Sequence, residues 1–129
     1  STDPRVVRRV LSAESAKKMR DILRQVVVKG TATRISSDEI YTSAGKTATS
    51  YSAGVIELLG KSGWGGMKAD VAGFIGFAPA ENPRVEVYVG IQDPNTDGTG
   101  AHGSAHAAPV FRQLIEEVLK EMKVNPASG

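Results

Sequence analysis

Val71-Ala-Gly-Phe-Ile-Gly-Phe77, the turn Pro79-Ala-Glu-Asn-Pro83 and the run Val85-Glu-Val-Tyr-Val-Gly-Ile-Gln92 decide the architecture of this chain. The first stretch is apolar or glycine throughout, a strand-length segment with no polar face, and the prolines after it break any regular element. In the second run Val85, Val87, Val89 and Ile91 alternate with Glu86, Tyr88, Gly90 and Gln92, the period of a strand with one buried face. The three pieces together predict an antiparallel hairpin.

Downstream of the hairpin, Asp93 to Ser104 is a Gly-, Asn- and Asp-rich loop, and Pro109 opens a helix. Its Val110, Phe111, Leu114, Ile115, Val118, Leu119 and Met122 recur at helical spacing and predict one continuous apolar stripe. Upstream, Gly60, Gly63, Gly65 and Gly66 surround Trp64 within Leu58 to Met67, a turn or loop whose aromatic tucks against its own domain. Ala44 to Tyr51 is rich in Thr and small residues, as a strand would be, and Thr31 to Thr42 is polar loop. Ser12 is placed to cap a helix from Ala13 to about Val27, with Ala16, Met19, Ile22, Leu23, Val26 and Val27 on one side, Lys17, Lys18, Arg20 and Arg24 largely opposite, and Gly30 just past its end. Arg5 to Leu11 reads as an extended lead-in. Helix, strand, hairpin, helix predicts an α+β fold: a small antiparallel sheet of about three strands, with an N-terminal and a C-terminal amphipathic helix packed on one face.

The 129 residues fit one domain or a large subdomain, and 40% hydrophobic with 23% charged residues is an ordinary globular balance. The net charge of +2 is scattered, so nothing tracks phosphates and nucleic acid is a poor partner. Cysteine is absent, which removes thiolate metal sites, thiol nucleophiles and disulfides while leaving the compartment open. Apolar runs reach about ten residues, half of what a membrane helix needs, so no membrane segment is expected here. The opening Ser1-Thr2-Asp3-Pro4 carries no export signal and reads as a point within a longer protein.

Catalytic groups are few. His102 and His106 lie in Gly/Ala-rich sequence with only Asp93 and Asp97 nearby, which favours solvent-facing loop histidines over a metal site, and no metal or cofactor is expected. The sharper feature is Gly45-Lys46-Thr47-Ala48-Thr49. It resembles the Lys-Thr-Gly-Thr strand of penicillin-binding proteins and serine β-lactamases. Resemblance to class B penicillin-binding proteins extends through Arg9-Val-Leu-Ser-Ala-Glu-Ser-Ala16, Met19-Arg-Asp-Ile-Leu23, Gly30-Thr-Ala32, Phe74-Ile-Gly-Phe-Ala-Pro-Ala-Glu-Asn-Pro-Arg84 and Ala107-Ala-Pro-Val-Phe111. It covers residues 5–122, leaving 123–129 as a tail, and implies that residues 1–129 are the C-terminal portion of a transpeptidase domain of the penicillin-binding/β-lactamase-like fold.

That resemblance implies a parent that cross-links peptidoglycan stem peptides by serine acyl transfer, is acylated by β-lactams, serves cell wall synthesis in division or cell shape, and works periplasmically or on the outer side of the bacterial inner membrane. The family's Ser-x-x-Lys and Ser-x-Asn motifs lie upstream of the matching segment; Ser43 to Lys46 has the first spacing but leads into a strand, so no catalytic serine is expected in this chain. Its role would be substrate holding beside the remaining N-terminal part of the domain. Lys46 would raise the positive potential, the Thr47 and Thr49 hydroxyls would take a carboxylate, and the Thr49 backbone N–H would serve as an oxyanion-hole donor. Strand alternation puts Lys46 and Ala48 on one side, Thr47 and Thr49 on the other. Ala48 stands where the family has glycine, which puts the parent's activity in question and keeps a non-catalytic, transpeptidase-like binding or scaffold protein as the alternative.

Overall fold

A computed structural model describes residues 5–35, 39–51, 71–93 and 101–126. The elements are helix α1 (Ala13–Lys29), a 3-10 turn (Thr33–Ile35), strands β1 (Ala44–Ser50), β2 (Val71–Ala78) and β3 (Val85–Gln92), a π-helical turn (Gly103–Ala107) and helix α2 (Ala108–Glu121). Leu58 to Met67, with Trp64, lies outside the described residues, as does Asp97.

Helix α1 starts where capping chemistry says it should: the Ser12 hydroxyl accepts the Ser15 N–H at 3.1 Å. It runs two residues beyond the expected end, and Gly30 closes it by donating to the Val26 carbonyl at 3.1 Å. The three strands form one antiparallel sheet in the order β1-β2-β3. Ala44 pairs with Phe77 and Ser50 with Val71, while Val71 pairs with Gln92 and Ala78 with Val85.

Directly opposed residues share a face of a sheet, so this register sorts the side chains. Phe74, Val87, Val89 and Ile91 fall on one face together with Thr47 and Thr49. Lys46, Ala48, Ile75, Tyr88 and Glu86 fall on the other. The first face is the core. Phe74 meets Phe111 of α2 with ring centroids 4.7 Å apart and planes tilted by 52°, a geometry in which the edge of one ring approaches the face of the other. Gly76 makes room for them, since a Cβ there would lie 2.7 Å from one ring and 2.8 Å from the other.

The helices divide the work differently from the expectation that both lay their stripes on one face. Helix α2 packs on β2 and β3, burying Phe111, Ile115 and Leu119, but the parallel row Val110, Leu114, Val118 and Met122 remains 38–45% exposed. An apolar stripe two rows wide exceeds what the contact with a three-stranded sheet can cover. Helix α1 lies along β1, contributes Val27 to the core, and leaves Met19 and Ile22 more than half exposed. The expected polar loop after α1 is also a structural element: Ala32, Ile35 and Tyr41 are buried in the core cluster, and the Tyr41 hydroxyl donates to the Val124 carbonyl at 2.8 Å.

Candidate functional site

Strand β1 enters the sheet through a set of clamps at Ser43 and Thr42. Ser43 is almost fully buried; its N–H and hydroxyl donate to Glu39 Oε2 at 3.2 and 3.1 Å, and its carbonyl accepts from Arg24 Nη1 of α1 at 2.8 Å. Arg24 also pairs with the Glu39 carboxylate, so one guanidinium ties helix, loop and strand together. The Ala80 N–H donates to the Thr42 carbonyl at 2.9 Å, and the Thr42 hydroxyl bonds Glu81, which fastens the hairpin turn to the same point. Buried or half-buried polar groups that are fully partnered hold one geometry, because every alternative leaves a donor or acceptor unpaired.

Beyond that anchor β1 emerges to solvent. Ala44 and Gly45 are buried, whereas Lys46, Ala48, Thr49 and Ser50 are exposed and Thr47 is half-buried. The ammonium of Lys46 curls over the strand edge to the Thr47 carbonyl at 3.1 Å and the Thr47 hydroxyl at 3.3 Å. In an antiparallel ladder a residue's N–H and C=O point to the same side and alternate along the strand. The Thr47 carbonyl pointing away from β2 therefore puts the main-chain groups of Thr49 on that outer edge as well. Among the described residues no strand pairs with this edge. The Thr47 hydroxyl also lies 3.0 Å from that of Thr31, just past α1.

The backbone at Ala48 is held from the core side. Gly103, in the turn leading into α2, comes so close that a Cβ there would stand 2.2 Å from the Gly73 carbonyl oxygen and 2.6 Å from that of Ala48. The Ala48 methyl points the other way, over Gly73, on the face it shares with Lys46. Thus Lys46, Thr47, Ala48 and Thr49 sit as alternation requires, on an accessible strand end. Sequence reading passed over Thr31, Gly103 and the Arg24–Glu39–Ser43 clamp, since each acts through a partner more than a dozen residues away or, for Glu39 and Ser43, across a loop read only as polar.

The histidines lie beneath this strand rather than in a loop. Gly103 to Ala107 form a helical turn in which His106 Nδ1 is 2.9 Å from the His102 carbonyl oxygen. Among the described residues no three His, Asp or Glu gather as a metal site would require. The sequence also holds a second Ser-x-x-Lys spacing, Ser15 to Lys18, on α1. Ser15 is engaged with the Ser12 cap and Lys18 pairs with Glu14 at 2.8 Å, both on an exposed helix surface, so the two do not form a nucleophile and base in a cleft.

Comparison with known proteins gives this geometry its setting. The family model described as the penicillin binding protein transpeptidase domain matches residues 1–116. The chain is 34% identical over 123 residues to stage V sporulation protein D of Bacillus subtilis, covering 95% of this chain and 18% of that protein. It is 33% identical over 122 residues to a probable peptidoglycan D,D-transpeptidase, PenA, of Neisseria flavescens, covering 92% of this chain and 28% of the relative. Among solved structures, the apo transpeptidase domain of Burkholderia pseudomallei penicillin-binding protein 3 superposes with a TM-score of 0.75 at 30% identity, over 100% of this chain and 37% of that one. The chain thus spans well under half the length of these proteins. A core-backed antiparallel sheet ending in an exposed Lys-Thr-Ala-Thr strand, matched over nearly its whole length, belongs to the penicillin-binding protein transpeptidase family.

Proposed function

We propose that this chain supplies the substrate-holding strand of a serine D,D-transpeptidase that cross-links peptidoglycan stem peptides and is acylated by β-lactams on the extracytoplasmic side of the membrane. The observation that carries the reading is the exposed outer edge of β1 at Lys46 to Thr49, backed by the Arg24–Glu39–Ser43 clamp at one end and by Gly103 at Ala48. An extended peptide adds to such an edge by main-chain hydrogen bonds, as β-augmentation requires. Lys46 brings a positive charge to the place where a carboxylate would sit, and hydroxyls of Thr47 and Thr49 can donate to it. The Thr49 N–H on the outer edge is available to a developing oxyanion, a contact whose loss typically costs about 3–4 kcal/mol of transition-state stabilisation. The nucleophile and base come from the remaining N-terminal part of the domain.

Ala48 in place of the family's glycine favours a second reading, a transpeptidase-like protein that binds stem peptide or drug without turning over. Labelled penicillin and mass spectrometry on the complete protein decide between them. An acyl adduct that forms about 10–100-fold more slowly in Lys46→Ala, as loss of a charge-assisted bond predicts, supports catalysis with this strand in the site. A complete protein that binds penicillin reversibly and never acylates leaves the binding reading.

A further inference from the structure

We propose that Thr31 is a positioning residue that sets the direction in which the Thr47 hydroxyl donates; this rests on the reading of Thr47 as a carboxylate ligand. The two hydroxyl oxygens are 3.0 Å apart, and the Lys46 ammonium is 3.3 Å from the same Thr47 oxygen. A hydroxyl has one proton and two acceptor positions, an ammonium only donates, and an ionised carboxylate only accepts. Lys46 therefore occupies one acceptor position on Thr47. A carboxylate at the strand edge claims the single proton. What remains for Thr31 is the second acceptor position, so Thr31 donates to Thr47 and Thr47 donates to the carboxylate. The opposite polarity, with Thr47 donating to Thr31, would present oxygen lone pairs to the incoming anion.

The local backbone holds Thr31 in place for this. Gly30 and Ala32 on either side both donate to the Val26 carbonyl, at 3.1 and 3.2 Å, and Ala32 is fully buried, whereas Thr31 itself is exposed. Its side chain contributes nothing to the core, so its hydroxyl can be removed without opening a cavity.

The test is second-order acylation of the complete protein by benzylpenicillin and by its methyl ester, which lacks the carboxylate charge, in Thr31→Val, Thr31→Ser, Thr47→Val and the Thr31→Val/Thr47→Val double variant. Thr31→Val should slow benzylpenicillin about three- to tenfold, the span of one net hydrogen bond. It should leave the ester rate unchanged, be rescued by Thr31→Ser, and add nothing in the Thr47→Val background. Thr31→Ala replaces the Val variant if that one does not fold. Equal slowing of both probes, or a loss that adds fully to that of Thr47→Val, would make Thr31 merely structural and overturn the proposal. So would a neutral Thr31→Val beside a slowed Thr47→Val, and that outcome leaves the Thr47 reading intact. A neutral Thr47→Val, by contrast, overturns the carboxylate role itself.

Discussion

At the scale of single residues, Ala48 carries the sharpest question, because one methyl group stands where relatives of this family have none. The methyl is exposed on the Lys46 face, above Gly73 and away from Gly103. Inside this chain nothing crowds it, so any pressure must come from a part of the domain that packs over this face. Crowding of that kind costs about 1–3 kcal/mol, so in the complete protein Ala48→Gly should speed β-lactam acylation by roughly tenfold. The same change should lower unfolding stability by about 0.5–1 kcal/mol, since glycine loses more backbone freedom on entering a strand. Stopped-flow acylation and thermal unfolding read the two opposite effects. An unchanged or slower acylation would show that the site has adapted to the methyl.

At the scale of elements, two junctions determine where β1 and α2 sit. The first is Gly103, which lets the turn before α2 lie directly on the backbone of Ala48 and Gly73. Gly103→Ala has no room for its methyl, and separating turn from sheet should cost about 1–3 kcal/mol in urea unfolding. It should also slow acylation of the complete protein, because the strand edge moves with Ala48. The second junction is the end of α2. Lys123 adopts φ 55°, its N–H donates to the Lys120 carbonyl at 2.9 Å, and the Val124 N–H donates to Leu119 at 3.0 Å. That pair of bonds is a Schellman cap, whose left-handed position is disfavoured for a residue with a Cβ. Lys123→Gly should therefore raise stability by about 0.5–1 kcal/mol, with acylation unchanged. A destabilised variant would mean that the lysine side chain contributes more than its backbone strain costs.

At the scale of the whole molecule, the chain displays more apolar surface than a self-contained unit needs. Val6, Val7, Val10 and Leu11 are 62–87% exposed, and the outer row of α2, Ile75 and Tyr88 are exposed as well. Contiguous apolar surface of this kind marks a contact with other protein, in keeping with a segment that spans 37% of a solved transpeptidase domain. With its nucleophile supplied from elsewhere, the chain alone should form no stable adduct with labelled penicillin in intact-mass spectrometry. Ser15, the one serine with a lysine at the right spacing on a helix, is the position to inspect. Its surface setting and the Lys18–Glu14 pair leave the hydroxyl unactivated. An adduct there would overturn the assignment of the chain as a substrate-holding segment.

Much of this was written in local order. Alternation from Val85 to Gln92, the broken run at Pro79 and Pro83, the Ser12 cap and the spacing of Phe111, Ile115 and Leu119 each declare an element, because strand and helix periods act over a few residues. Alternation also told which way Lys46 and Ala48 face relative to Thr47 and Thr49, and the β1–β2 register agrees. Only tertiary structure decided which half of the α2 stripe meets the sheet, that α1 lies along β1, that Ala32, Ile35 and Tyr41 leave a polar loop for the core, and that Thr31 and Gly103 reach the strand from far along the chain. Those outcomes depend on how much surface each element finds opposite it once the sheet has closed. That quantity belongs to the packed arrangement and has no period in the sequence.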